Sequence, residues 1–176
     1  VLELSEQRSD TAIHIDQLVI AMIDMEEEQF EKILSNLILR YGFEKTITEI
    51  IYPFLEKIGV LWQTQNISPA QEHFISNLIR QKIIVAIDGL PIPPKEAQRI
   101  VLFLRENEMH ELGLLFYHYV CRRAGYRTYY LGQNVPFEDL VKVVGTHKPD
   151  ILLTSITSNT NSMSAETYLK KMSNAF

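Results

Sequence analysis

The chain has 176 residues, 46% of them hydrophobic and 22% charged, with a net charge of −5, which suits one medium globular domain or two small ones. An acidic balance offers no basic face for nucleic acid, so any contact with DNA requires a part of the protein outside this stretch. A single cysteine, Cys121, excludes a disulfide framework and a thiolate metal cluster, and no apolar run reaches the ~18 residues of a membrane span.

The first nine residues are polar and read as frayed. From about Asp10 to Asp24, Ile15, Leu18, Val19, Met22 and Ile23 form one helical stripe. Asp24 with Glu27 predicts a capping box for a second helix, in which Phe30, Ile33, Leu34, Leu37 and Ile38 repeat at helical spacing up to a stop at Gly42. A third helix spans about Glu44 to Trp62, and Pro53 is expected to kink or split it. A fourth starts at Ser68-Pro69-Ala70-Gln71, with serine as N-cap, proline at the first helical position and glutamine at the third. Gly89 ends it. Residues 10–89 thus read as an antiparallel four-helix bundle.

Leu90 to Gln98 is proline-rich and reads as a semi-rigid linker. The pattern then changes. Short apolar strands at Arg99–Leu104, Arg127–Leu131 and Ile151–Ile156 alternate with helices at about His110–Ala124 and Val135–His147, and a last helix opens near Ser164. This alternation predicts βαβ units and a flavodoxin- or Rossmann-like parallel sheet over residues 99–176. Three strands leave an edge exposed, so the sheet domain is expected to be incomplete, with Val1 and Phe176 as cut points in a longer product. Cys121 falls on a helix and reads as a small buried hydrophobe. The N-terminus has no secretory pattern, which predicts a cytoplasmic protein.

Ligands of doubly wound sheets bind beyond the C-terminal strand ends, where strand order reverses. With flavodoxin-like order, that reversal lies between the first and third strands. It would gather Glu108 and His110 after the first strand with Ser155, Thr157, Ser158 and Asn159 after the third. His110 could ligate a metal through one ring nitrogen while Glu108 or Ser155 holds the other. One histidine does not hold a free zinc ion, but it can supply one axial ligand to a metal already held by a macrocycle. The bland alternative is that His110 opens a helix and points to solvent. In the bundle, Trp62 ends the third helix and Glu72-His73 lies in the first turn of the fourth. A core tryptophan and helix-start chemistry explain them equally simply, and adjacent helical residues point roughly 100° apart.

Together these groups match a known pattern. Glu108-x-His110-x-x-Gly113 resembles the cobalamin-binding signature, with Ser155 at the spacing of a serine found in related domains. Trp62, nine residues, then Glu72-His73 resembles the bundle signature of adenosylcobalamin-dependent light sensors. Those are transcriptional regulators with a MerR-type DNA-binding domain, a four-helix cap and a cobalamin domain. The resemblance covers about residues 10–176. It implies a corrin between bundle and sheet domain, with His110 as lower axial cobalt ligand supported by Glu108 and Ser155. Gly113 would let the cofactor's tail pass, and Trp62, Glu72 and His73 would cover the adenosyl face. It also implies a homo-oligomer that grips DNA through an N-terminal domain and responds to light, and a sensor rather than an enzyme.

Two departures stand out. Some such sensors have a histidine directly after the tryptophan, where this chain has Gln63, and the family's glycine pair after a fourth strand would fall beyond Phe176. Two other readings share the scaffold: a corrinoid methyl carrier, which more usually has aspartate at the position of Glu108, and a regulator domain that mediates assembly without cobalamin.

Overall fold

The computed structural model describes residues 2–157 and 163–176, with side chains from Asp10 onward. The chain forms two compact units, Val1–Leu78 and Ile79–Phe176. The order of elements is α1 (Leu2–Ile23), α2 (Glu27–Tyr41), α3 (Phe43–Thr46), a π-helical turn (Ile47–Ile51), α4 (Tyr52–Gln63), α5 (Pro69–Asp88), β1 (Arg99–Arg105), α6 (Leu112–Arg123), β2 (Arg127–Val135), α7 (Phe137–His147), β3 (Ile151–Thr154) and α8 (Ala165–Ala175). The unit boundary falls within α5.

In the first unit the apolar stripes meet as expected. Leu18, Met22, Phe30, Leu34, Ile47, Ile51, Phe54 and Ile75 are essentially inaccessible, and the Phe30 and Phe54 rings lie 6.1 Å apart. Each such side chain stabilises the fold by about 1.5–3 kcal/mol. Two local expectations need correction. Helix α1 starts at Leu2, not Asp10; residues 2–9 lack an apolar stripe but consist largely of good helix formers. The Asp24–Glu27 capping box does not form, and Glu26 is the N-cap of α2 with no side-chain bond. The reason is that residues 24–26 terminate α1. Met25 sits at a left-handed φ of 55°, and the amides of Met25 and Glu26 return to the carbonyls of Met22 and Ala21, a Schellman cap.

Pro53 splits the third helix, as expected, and does so through a π turn. A proline has no N–H for the carbonyl four residues back. The helix widens ahead of it, with the Tyr52 amide reaching the carbonyl of Ile47, and Ile47, Ile50 and Ile51 all face the core. The predicted box at Ser68 does form: the Gln71 side chain accepts from the Ser68 amide at 2.8 Å, and Ser68 Oγ accepts from the Gln71 amide at 3.3 Å.

The second unit is an open, fully parallel sheet of order β2-β1-β3, the flavodoxin-like arrangement. Central β1 is buried on both faces. Ile100, Leu102 and Leu104 pack with Leu114 of α6, while Val101 and Phe103 pack with Leu140 of α7 and Tyr168 of α8. Strand β2 runs four residues beyond the predicted Leu131. The register steps from Leu102–Tyr130 to Phe103–Gly132, and Gly132 takes a φ of 76°, so a bulge at glycine lets the strand continue. Strand β3 is shorter than predicted and stops at Thr154. Among the described residues, no helix is long and apolar enough to cross a membrane.

Candidate functional site

The reversal of strand order between β1 and β3 places the loops after both strands side by side. Beyond β1 the chain turns at once, with the Glu108 amide donating to the Arg105 carbonyl at 3.0 Å. Asn107 takes a left-handed φ of 63° and Asn134, at the end of β2, one of 56°. Asparagine tolerates that conformation better than most residues. The two interlock: Asn134 Oδ1 accepts the Asn107 amide at 2.9 Å, and the Asn134 amide donates to the Glu108 carbonyl at 3.2 Å. Asn134 therefore holds the backbone on both sides of the Glu108 amide. Sequence reasoning missed it, because the strand was expected to end at Leu131 and Asn134 lies beyond that point.

Glu108 is fully buried. A buried carboxylate requires donors, and here they come from two loops. Oε1 accepts from the His110 amide at 3.2 Å and lies 2.7 Å from His110 Nδ1. Oε2 accepts from the Thr157 amide, beyond β3, at 3.3 Å. A carboxylate only accepts, so in the neutral ring the proton sits on Nδ1 and Nε2 is the nitrogen left for a metal. The ring itself is 72% exposed. His110 does not open α6 as expected; it lies in the loop before Leu112, in a tight turn where the Glu111 amide donates to the Met109 carbonyl.

Two other predicted residues are placed nearby. Gly113 lies in the first turn of α6, and a Cβ built there meets nothing within 4 Å. Neither backbone conformation nor packing within the protein demands glycine, which leaves open space beside the helix start. Ser155 is half-buried just past β3. It makes no hydrogen bond to His110 or Glu108 among the described residues; the backbone of Thr157 takes the place expected for its hydroxyl. Ser158 and Asn159 lie outside the described residues.

The bundle residues lie in the first unit. Trp62 is 55% exposed, which the bland alternative of a core tryptophan does not match. A Schellman cap holds it in the last turn of α4, with the Gln65 amide on its carbonyl. Glu72 and His73 are brought together despite their helical offset: Glu72 Oε2 lies 2.8 Å from His73 Nδ1, because the flexible glutamate swings across. Ser76 Oγ donates to Glu72 Oε1 at 2.7 Å.

Two further groups are structural. Cys121 packs against the core of the second unit, and burial raises its thiol pKa, which makes it unreactive. His118 lies against β2, with burial first and the Arg122 charge second lowering its pKa to about 4. Among the described residues, no group of three or more His, Cys, Asp or Glu side chains could hold a metal ion. The donor set at His110 is one imidazole nitrogen, oriented by a buried acid and facing outward beside a vacant glycine. It fits a metal whose remaining ligands come from a macrocycle such as the corrin.

Two family models, both described as B12 binding domain, match residues 14–86 and 98–175. The HTH-type transcriptional repressor CarH of Myxococcus xanthus is 25% identical over 160 residues, which are 91% of this chain and 53% of that protein. The HTH-type transcriptional repressor CarA of the same organism is 27% identical over 131 residues, 74% of this chain and 43% of that protein. The chain spans about half the length of these curated relatives and is homologous to them at low identity. In fold, it resembles the monomethylamine corrinoid protein of Methanosarcina barkeri, with a TM-score of 0.68 at 18% identity, covering 92% of this chain and 75% of that one.

Proposed function

We propose that this chain is the cobalamin-binding sensory and oligomerisation module of a MerR-type transcriptional regulator. The observation that carries the reading is the Glu108–His110 pair: a fully buried carboxylate fixes Nδ1 of a largely exposed imidazole and leaves Nε2 outward. His110 serves as the lower axial ligand of cobalt, Glu108 holds its ring, and Gly113 leaves room for the cofactor's tail beside α6. Ser155 lines the same crevice. Trp62, Glu72 and His73 of the bundle contact the upper face; an exposed tryptophan and a preformed acid–imidazole pair suit that role. Adenosylcobalamin is the form proposed, and when bound it supplies a light-sensitive cobalt–carbon bond. The module works as a homo-oligomer in the cytoplasm, with DNA contacted through an N-terminal domain outside this stretch.

The corrinoid-carrier alternative shares the fold. Glu108 in place of the usual aspartate, together with Trp62 and Glu72-His73, favours the sensor. The test is a visible spectrum after mixing with adenosylcobalamin in the dark, followed by illumination. A base-off, histidine-on spectrum that disappears in His110→Ala supports the reading. No spectral shift leaves a domain that only mediates assembly, and a bound spectrum with no change of oligomer size on illumination removes the light switch.

A further inference from the structure

Directly after His110 stands a second carboxylate, Glu111, whose pairing the cobalt-ligand reading does not use. Its side chain is 13% exposed and fully engaged. Oε1 accepts from Arg80 Nε of α5 at 2.6 Å, and Oε2 accepts from the Tyr130 hydroxyl of β2 at 3.1 Å. Its backbone is engaged as well. The amide closes the tight turn over His110 onto the Met109 carbonyl at 2.9 Å, and the carbonyl takes the Leu115 amide at 2.8 Å. Tyr130 is itself held, its ring stacked 4.9 Å from His118. Burial, then the adjacent Glu111 charge, raises its phenol well above the ordinary range, so it remains a donor at any physiological pH.

We propose that Glu111, clamped by Arg80 and Tyr130, is a positioning residue for His110, fixing the backbone that carries the imidazole as Glu108 fixes the ring. The identity of the metal-bearing ligand rests on the cobalamin reading, but the positioning is a property of the protein alone. A three-residue turn is weak by itself, and the bond from Nδ1 to Glu108 sets one point of the ring, not the height of its Cα. The anchor for that height is the side chain at the next position, tied to α5 and β2. A ligand held within about 0.5 Å needs such support from its neighbours. The Arg80 charge is what makes a nearly buried Glu111 tolerable.

The test uses the whole chain, labelled with ¹⁵N-histidine and without cofactor. In the wild type, long-range ¹H–¹⁵N spectra are expected to show His110 in the Nδ1–H tautomer. Loss of a charge-assisted bond worth roughly 1.4 kcal/mol changes a ratio about tenfold. Glu111→Gln and Arg80→Met should therefore each raise the minor tautomer about tenfold. The double variant should be no worse than Glu111→Gln alone, since both act through one contact. Tyr130→Phe should have a smaller effect in the same direction. Arg80 is half-exposed, so Arg80→Met reads the same contact if Glu111→Gln does not fold. An unchanged His110 signal in folded Glu111→Gln, or in Arg80→Met, overturns the proposal. With adenosylcobalamin added, the same variants should lose histidine ligation about tenfold more readily. A wild type that ignores the cofactor while the tautomer shifts appear sinks the cobalamin reading and supports the positioning role.

Discussion

The imidazole of His110 is 72% exposed while the carboxylate 2.7 Å from it, on Glu108, is fully buried. The two ends of this bond therefore matter differently. Glu108→Ala removes the acceptor of the His110 ring, the His110 amide and the Thr157 amide, and takes away this link between the loops after β1 and β3. It should destabilise the second unit by about 2–4 kcal/mol. His110→Ala removes one exposed partner and leaves Glu108 the His110 and Thr157 amides, so the loss should be about 1 kcal/mol. Urea unfolding at pH 7 checks the order; equal losses would mean that the pair, not the carboxylate, holds the loops together.

Two capping boxes are legible in the sequence and only one exists, which gives a second prediction. Ser68 and Gln71 exchange bonds at the start of α5, so Ser68→Ala should cost about 1 kcal/mol. Asp24 caps nothing, and Asp24→Ala should change stability by less than about 0.5 kcal/mol. Thermal unfolding of the two variants side by side measures the difference, and a larger loss at Asp24 would contradict the cap geometry.

The contrast shows what could be read in advance. Periodicity located the helices and strands of the described residues, because apolar stripes and strand–helix alternation are local patterns, and the flavodoxin-like strand order taken for the sheet is the one found. Termini were less legible. The same three letters can cap the helix behind or the helix ahead, and at Asp24 to Glu26 the Schellman cap of α1 prevailed. Glu108 and His110 were found because they are two residues apart in one loop. Asn134, Glu111's partners and the Thr157 amide were not, since they meet Glu108 or Glu111 from other elements. An arginine 31 positions away leaves no local signal.

Gly113 offers a trade-off between stability and binding. Its backbone is not left-handed, and an added methyl group meets nothing in the protein. Alanine is the better helix former, so Gly113→Ala should stabilise the second unit by about 0.5 kcal/mol, less than the ~1 kcal/mol of a helix interior. On the proposed function the same methyl intrudes on the cofactor's tail, and uptake of adenosylcobalamin should fall about tenfold or more, as for 1.4 kcal/mol of lost binding. Calorimetric unfolding together with a binding titration separates the effects. A stabilised variant with unchanged uptake would remove Gly113 from the site.

Stability should also depend on pH through His118. Its Nε2 lies 2.8 Å from Thr128 Oγ1, its ring stacks on Tyr130, and its buried Nδ1 has no protein partner. A proton added in place would gain no acceptor and would face the Arg122 charge. Burial and that charge hold the folded pKa near 4, against 6.5 when unfolded. Between these values the unfolded chain binds a proton that the folded chain refuses. The contribution is therefore complete above pH 6.5 and is lost as pH falls from 6.5 towards 4. The full shift corresponds to about 3 kcal/mol, and because the ring is only half-buried, solvent screening reduces this to about 1–2 kcal/mol. His118→Gln cannot take up that proton, while every carboxylate that titrates in the same range is common to both proteins and cancels. Urea midpoints at pH 7 and pH 4.5 should thus fall further for the wild type than for His118→Gln, and parallel falls would show that His118 is protonated in place.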